Sequence, residues 1–414
     1  IEFERPAGGA SAISEAAELL SNAKFPVILS GAGVVLADAI EDCKNIAEKL
    51  DAPVACGYQH NDSFPGKHPL AVGPLGYNGS KAAMEIISKA DVVLALGTRL
   101  NPFSTLPGYG IDYWPKEAKI IQVDINSDRI GLAKKISVGI CGDAKLVAKQ
   151  ILGQLSSTAG DDGREDRKAL IHQTKSSWLQ TLTSLDHEED DEGTSWNKDS
   201  RERDPDRMSP RMAWRAIQAG LPDNAIISSD IGNNCAIGNA YPTFEQGRKY
   251  LAPGLFGPCG YGFPSVLGAK IGCPDTPVVG FSGDGAFGIS MSEMTSCSRE
   301  EWPNITMVIF RNYQWGAEKR NTTLWYDNNF IGTELDPKLS YAKIADACGF
   351  KGVKVTTQSE LTEALKASCV DQMNGVTTFI EVILNQELGE PFRRDAMKAP
   401  VEVAGINSQD TVAQ

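Results

Sequence analysis

Along the first third of the chain, apolar residues come in short continuous runs rather than in alternation: Val27 to Leu29, Ala52 to Ala55, Val92 to Leu96, Ile120 to Val123 and Val138 to Ile140, with helical patterns between them. A strand that is apolar at consecutive positions is buried on both faces, and such runs separated by helices mark a parallel sheet covered on each side. The pattern predicts a doubly wound α/β domain over residues 11–155. Over 156–207 Ser, Asp, Glu, Lys and Arg take over, so this stretch reads as a polar linker with one helix over 169–185. Its acidic run, Asp186 to Glu192, fits a solvated face better than a metal site. A second α/β unit is expected over 208–385, with Ser209 and Pro210 as cap and first-turn pair of a helix over 211–219. Strands are predicted at 225–229, 278–281, 305–310 and 378–384. Residues 1–10 read as an interdomain linker remnant and 386–414 as a charged C-terminal tail.

Composition narrows the chemistry. Across 414 residues, 42% are hydrophobic and 22% charged, which excludes a disordered or low-complexity chain. Forty Lys and Arg against 53 Asp and Glu leave a net charge of −13, which repels phosphate backbones and anionic lipid. No nucleic acid and no membrane partner is expected, and an anionic ligand must be met by local donors. The nine cysteines form no C-x-x-C pair and no zinc spacing. With no apolar run of about 18 residues and no signal-peptide pattern, the expected setting is cytoplasmic.

Gly31-Ala32-Gly33 follows the first strand, but the third glycine of a dinucleotide fingerprint is replaced by Leu36, so a tight strand-to-helix turn explains the pair. His60 sits in the polar stretch Tyr58 to Asp62. It reads either as part of a capped loop or as a candidate catalytic residue, since an unperturbed imidazole titrates near neutral pH. The stronger signal is Gly283-Asp284-Gly285-Ala286 at the end of one strand and Asn312 at the end of the next, 28 residues after Asp284. Ligands of open α/β sheets sit beyond the carboxyl ends of strands. Asp284 offers an anionic oxygen, Asn312 an amide oxygen, and a main-chain carbonyl near Gln314 a third, a set suited to octahedral Mg²⁺ completed by a diphosphate and water. Gly283, Gly285 and the amides around Ala286 allow backbone N–H groups to approach phosphate.

These residues carry a resemblance. Gly283-Asp284-Gly285 followed after 26 residues by Asn312 resembles the thiamine diphosphate motif of the family that includes acetolactate synthase, pyruvate decarboxylase and benzoylformate decarboxylase. That motif usually ends in Asn-Asn, and here Arg311 stands at the first place. Ser229 to Asn234 is similar to the family's diphosphate loop, and Gly257 to Pro264 resembles its pyrimidine-binding segment, where Cys259 replaces a bulky apolar wedge. Phe64 to Pro69 and Gly76 to Gly79 look like the central domain. The resemblance implies two doubly wound parallel-sheet domains, a Rossmann-like central domain and a thiamine diphosphate-binding domain. It further implies a cofactor set of Gly232, Asn233, Asn234, Gly257, Cys259, Gly283, Gly285, Ala286, Trp315 and Gly316, and a metal set of Asp284, Asn312 and Gln314.

Within the family, Gly57 to Asp62, Leu100 to Gly110, Arg311 to Asn321 and Asn385 to Met397 look like the branch that acts on sulfoacetaldehyde and phosphate. Where acetolactate synthases place a substrate-holding Trp, this chain has Asn321. The implied reaction passes through acetyl-thiamine diphosphate and yields acetyl phosphate and sulfite, a step of taurine degradation. Lys319, Arg320, Arg393 and Arg394 are candidate contacts for its anionic substrates. The family's N-terminal pyrimidine domain, with its catalytic Glu, is expected to be absent, making this chain an inactive fragment of a homodimer or homotetramer. The alternatives are a 2-keto acid decarboxylase or acetolactate synthase-like enzyme, or a non-catalytic cofactor-binding relative.

Overall fold

The computed structural model describes residues 4–158, 163–186, 199–200, 202–254 and 256–388, without the side chains of 184–186 and 323–325. By their internal contacts the described residues divide into two units, 4–181 with 243–248 and 182–242 with 249–388.

The first unit is a parallel sheet of β1 (Pro26–Ser30), β2 (Val54–Cys56), β3 (Ala71–Pro74), β4 (Val92–Leu96), β5 (Lys119–Asp124) and β6 (Val138–Cys141). Their order is β3-β2-β1-β4-β5-β6. The central strands β1 and β4 are buried at every position, as unbroken apolar runs require in a sheet packed on both faces. The edge strand β6 alternates between buried and exposed. Ile13, Leu20, Ile46 and Val147, from the helices Ala10–Ser21, Ile40–Leu50 and Ala144–Gln154, join the same core.

Winding reverses between β1 and β4, the place where open sheets usually hold a ligand. Here main chain fills that place. Gly31 N donates to Leu96 O at 3.0 Å and Gly33 N to Gly97 O at 2.8 Å, and a Cβ on Gly33 would stand 2.6 Å from Gly97 Cα. The two glycines bring two loops into contact; they do not frame a phosphate cradle.

The linker helix expected over 169–185 runs Arg164–Asp186. It is tied to the first unit by the buried Arg167, which donates to the carbonyls of Lys24 and Leu50 at 2.8 and 2.9 Å. The acidic run beyond Asp186 lies outside the described residues. So do Arg393 and Arg394.

The second unit is again six parallel strands: β7 (Ile226–Ser229), β8 (Tyr250–Leu251), β9 (Val278–Gly283), β10 (Thr306–Arg311), β11 (Lys351–Val355) and β12 (Thr378–Ile383), ordered β11-β12-β10-β9-β7-β8. Three strands escape the sequence pattern: β3, β8 and β11. Each is short or carries Gly, Pro or Lys at solvent-facing positions, so it shows no continuous apolar run. Trp214, on the helix Pro210–Gly220, is fully buried against Phe281 of β9 and Phe310 of β10, with ring centroids 4.9 and 5.5 Å away. Its indole N–H donates to Asn234 O at 2.6 Å, so the core of this unit holds the short helix Asn233–Ile237 that follows β7.

Candidate functional site

Parallel register decides which loops meet. β10 pairs with β9 through Phe310 and Gly283, β9 with β7 through Phe281 and Ser229, and β10 with β12 through Arg311 and Ile383. Chain leaving β7, β9 and β10 therefore emerges at one edge. There it surrounds a cavity of ≈ 170 Å³ lined by Gly232, Asn233, Asn234, Gly257, Cys259, Gly283, Asp284, Gly285, Ala286, Asn312, Gln314, Trp315 and Gly316. Every residue expected to bind cofactor or metal lines this cavity. Ile231, Cys235, Ala317 and Glu318 line it too and were not among the expected site residues. Glu318 lies two positions past Gly316, and its place at the start of a helix that opens on the cavity was the signal for it.

Asp284 is 1% exposed. Its Oδ1 accepts from Gly285 N at 3.0 Å, and its Oδ2 from Tyr313 N at 2.7 Å and Arg311 Nη1 at 3.0 Å. Burial pushes its carboxyl up to about 6, against the pull of Arg311 and these N–H donors. The Asn312 side chain faces it. With the amide oxygen turned toward Asp284, that oxygen lies 3.3 Å from Asp284 Oδ1 and 3.2 Å from the Gln314 carbonyl oxygen; with the amide reversed, the nitrogen donates to both and the oxygen accepts from Asn234 Nδ2 at 3.2 Å. The first orientation gathers three oxygens with no proton among them. They repel unless a cation sits between them, and an all-oxygen set suits a hard divalent ion. The reversed orientation satisfies the same atoms without one. Asn234 Oδ1 and Gln314 Oε1 are buried without a hydrogen-bond partner, which a polar ligand would relieve.

Backbone geometry opens the cavity to a large ligand. Gly232 has φ +121°, a conformation that other residues rarely adopt. A Cβ on Gly285 would come within 2.9 Å of the Trp315 ring, so only glycine lets the indole lie this close. One organiser was missed as a site residue. Asp230 accepts from Ile231 N at 2.8 Å, Gly260 N at 3.1 Å, Gly262 N at 2.9 Å and Ser282 Oγ at 3.0 Å, joining the loop after β7 to the 260–262 segment and to the end of β9. The residues after β12 were missed as well: Leu388 O accepts from Asn233 Nδ2 at 2.5 Å and Gln386 O from Gln314 Nε2 at 3.0 Å.

The other expected residues sit differently. Lys319 and Arg320 do not line the cavity. Lys319 is buried with its ammonium paired to Glu334, while Arg320 Nη1 donates to Asn233 Oδ1 at 2.8 Å. Arg320 thus reaches the cavity through Asn233, not by direct contact. His60 belongs to the first unit, where burial and the Arg99 charge push its pKa down to about 4. It stays neutral at pH 7, so the near-neutral titration that suggested proton transfer does not hold here. Burial raises the Cys259 thiol above its ordinary value, with Asp230 and Glu318 adding to the shift. Among the described residues no cluster of three His, Cys, Asp or Glu side chains could hold a metal, so a cation beside Asp284 must draw its other protein ligands from amide and main-chain oxygen.

Comparison with known proteins agrees with this geometry. Residues 13–151 match the family described as "Thiamine pyrophosphate enzyme, central domain", and 230–382 match "Thiamine pyrophosphate enzyme, C-terminal TPP binding domain". The chain is 76% identical over 414 residues to the "Probable sulfoacetaldehyde acetyltransferase" of Rhizobium meliloti (strain 1021), covering 100% of this chain and 70% of that protein. It is 72% identical over 410 residues to the "Sulfoacetaldehyde acetyltransferase" of Roseovarius nubinhibens, covering 99% of this chain and 68% of that protein. Similarity to the "Probable acetolactate synthase large subunit" of Methanococcus aeolicus is lower, 30% over 362 residues, or 86% of this chain and 57% of that protein. The chain belongs to the thiamine pyrophosphate enzyme family.

Proposed function

We propose that the full-length protein is a thiamine diphosphate- and Mg²⁺-dependent acyltransferase that converts sulfoacetaldehyde and phosphate to acetyl phosphate and sulfite. The observation that carries this reading is the 76% identity, across the entire chain, to a relative named for that reaction, against 30% for one named as an acetolactate synthase. The cavity at the β9–β10 edge supports it, because its residue types suit a metal diphosphate.

In this reading Asp284, the Asn312 amide oxygen and the Gln314 carbonyl would hold Mg²⁺, a hard cation that would neutralise the diphosphate charge. Gly232, Asn233 and Asn234 border the diphosphate, Trp315 and Gly316 close the cavity beside Gly285, and Cys259 forms part of its wall. When bound, the thiamine group supplies a nucleophilic carbon and an electron sink. The chain's own part is to position and to exclude water. Asp230 ties the loop after β7 to the 260–262 segment and the end of β9, Arg320 fixes the Asn233 amide, and Trp214 anchors Asn234 from the core. Lys319 is engaged with Glu334, so direct contact with the substrate's sulfonate or with phosphate falls to other donors, Arg393 and Arg394 among the candidates. The reading extends to a part in taurine degradation, a cytoplasmic setting and a homodimer or homotetramer. Among the described residues no helix is long and apolar enough to cross a membrane.

The test is to give the full-length protein thiamine diphosphate, Mg²⁺, phosphate and sulfoacetaldehyde and to follow sulfite and acetyl phosphate. Release of both in equal amounts is expected. Carbon dioxide from pyruvate without sulfite would favour a 2-keto acid enzyme, and cofactor binding with neither product would leave a binding protein.

A further inference from the structure

Arg311 ends β10 beside the Asp284 carboxylate, at the place where the resembling motif usually carries a neutral Asn. Its side chain is wholly buried. Nη1 donates to Asp284 Oδ2 at 3.0 Å, and Nη2 donates to Asp336 O at 2.5 Å and Leu339 O at 3.2 Å. The guanidinium lies over the rings of Tyr313 and Tyr341, 4.3 and 5.3 Å from their centroids. Its Nε is 3.9 Å from Glu381 Oε1, while Glu381 Oε2 accepts from Ser340 Oγ at 2.7 Å and Ala342 N at 3.1 Å. Arg311 is thus held in one position from several sides, with a planar fork of N–H donors and no acceptor.

The consequence falls on the two oxygens of Asp284, which are unequal. Oδ2 already has two donors, Arg311 Nη1 and Tyr313 N. Oδ1 has one, Gly285 N, and is the oxygen that lies 3.3 Å from the Asn312 side chain, which in turn lies 3.2 Å from the Gln314 carbonyl oxygen. A cation gripped by both carboxylate oxygens would have to lie on the bisector of the carboxylate and approach a fixed positive charge. Mg²⁺ takes a single oxygen from a carboxylate at about 2.0–2.1 Å in an octahedron, whereas Ca²⁺ prefers six to eight ligands and readily takes a carboxylate by both oxygens.

Resting on the metal site proposed above, we propose that Arg311 is a positioning residue that confines Asp284 to one-oxygen coordination and so tunes the site toward Mg²⁺ and against Ca²⁺. Glu381 is the counter-charge that keeps the buried guanidinium from expelling the cation. The double variant Arg311→Asn with Glu381→Gln removes the clamp and its counter-charge together, while Arg311→Lys keeps a cationic donor.

The experiment measures Mg²⁺ and Ca²⁺ dissociation constants of the full-length protein, with thiamine diphosphate saturating, by quenching of tryptophan fluorescence. In the double variant the preference for Mg²⁺ over Ca²⁺ should fall at least tenfold, and in Arg311→Lys it should stay within threefold of wild type. General loosening of the fold would weaken both ions alike and leave the ratio unchanged; that result, or an equal change in Glu381→Gln alone, overturns the proposal. A crystal structure of the wild-type holoenzyme with Ca²⁺ in place of Mg²⁺ tests it without any variant. Asp284 should bind through one oxygen only, and two-oxygen binding refutes the clamp. A cation bound elsewhere would instead refute the metal site itself, and the proposal with it.

Discussion

Asp230 makes the sharpest demand on the loops of the site. Its carboxylate accepts two bonds on each oxygen: Ile231 N and Gly260 N on Oδ1, Gly262 N and Ser282 Oγ on Oδ2. Asp230→Asn preserves shape but turns one oxygen into a donor. If the amide oxygen keeps the Oδ1 position, the new NH₂ faces Gly262 N across 2.9 Å, donor against donor, while the Ser282 hydroxyl can rotate to accept. One charge-assisted bond is lost, at about 1.5–3 kcal/mol. Burial raises the Asp230 pKa, so removing the charge returns part of its desolvation cost. A net penalty of about 1–2 kcal/mol remains, roughly five- to thirtyfold in an equilibrium constant. Because loops on either side of Asp230 line the cavity, that penalty should appear in cofactor binding. Calorimetric titration of full-length Asp230→Asn with thiamine diphosphate and Mg²⁺ should show affinity weakened by about that factor, with the melting temperature lowered by a few degrees. Affinity within twofold of wild type, together with an unshifted melt, would refute the view that this carboxylate orders the loops.

Three further outcomes follow from the same geometry. Asp284→Asn keeps an acceptor for the neighbouring N–H donors but removes the anionic ligand, so Mg²⁺ affinity with cofactor present should drop about a hundredfold; a metal titration matching wild type would exclude Asp284 as a ligand. Without a cation the folded state holds a proton on Asp284 up to about pH 6, above the usual carboxylate range. Stability from this group is therefore present at low pH and is lost as pH rises through roughly 4 to 6, while Mg²⁺ affinity falls toward tenfold per unit as pH drops below about 6; a flat Mg²⁺ affinity between pH 5 and 7 would contradict the assignment. The Cys259 thiol, raised by burial, should alkylate slowly at pH 7.5 and faster at higher pH, and bound thiamine diphosphate should protect it relative to the exposed Cys141 and Cys273. Peptide mapping by mass spectrometry reads this directly, and equal labelling with and without cofactor would place Cys259 away from the ligand.

What was legible in the chain, and what was not, divides along physical lines. Buried parallel strands must be apolar on both faces, so β1, β4, β9, β10 and β12 announce themselves as unbroken runs. The edge strands β3, β8 and β11 meet no such demand and were invisible. The glycines and polar residues that line the cavity were legible because strand-end loops need Gly for positive φ and close approach, as at Gly232 and Gly285.

Side-chain direction was not legible. Lys319 and Arg320 follow the metal motif in sequence, yet helical geometry and their partners Glu334 and Asn233 turn them from the cavity. His60 kept its ordinary proton affinity on paper and lost it to burial beside Arg99. Arg311 reads as a local departure from a motif, and only the packing of β10 against β9 and β12 makes it a clamp on Asp284 with Glu381 behind it. Residue type and spacing specify which chemistry a chain carries, because they depend on covalent order and burial pattern. Which oxygen faces which donor depends on the register of strands far apart in sequence, and that is settled only when the sheet forms.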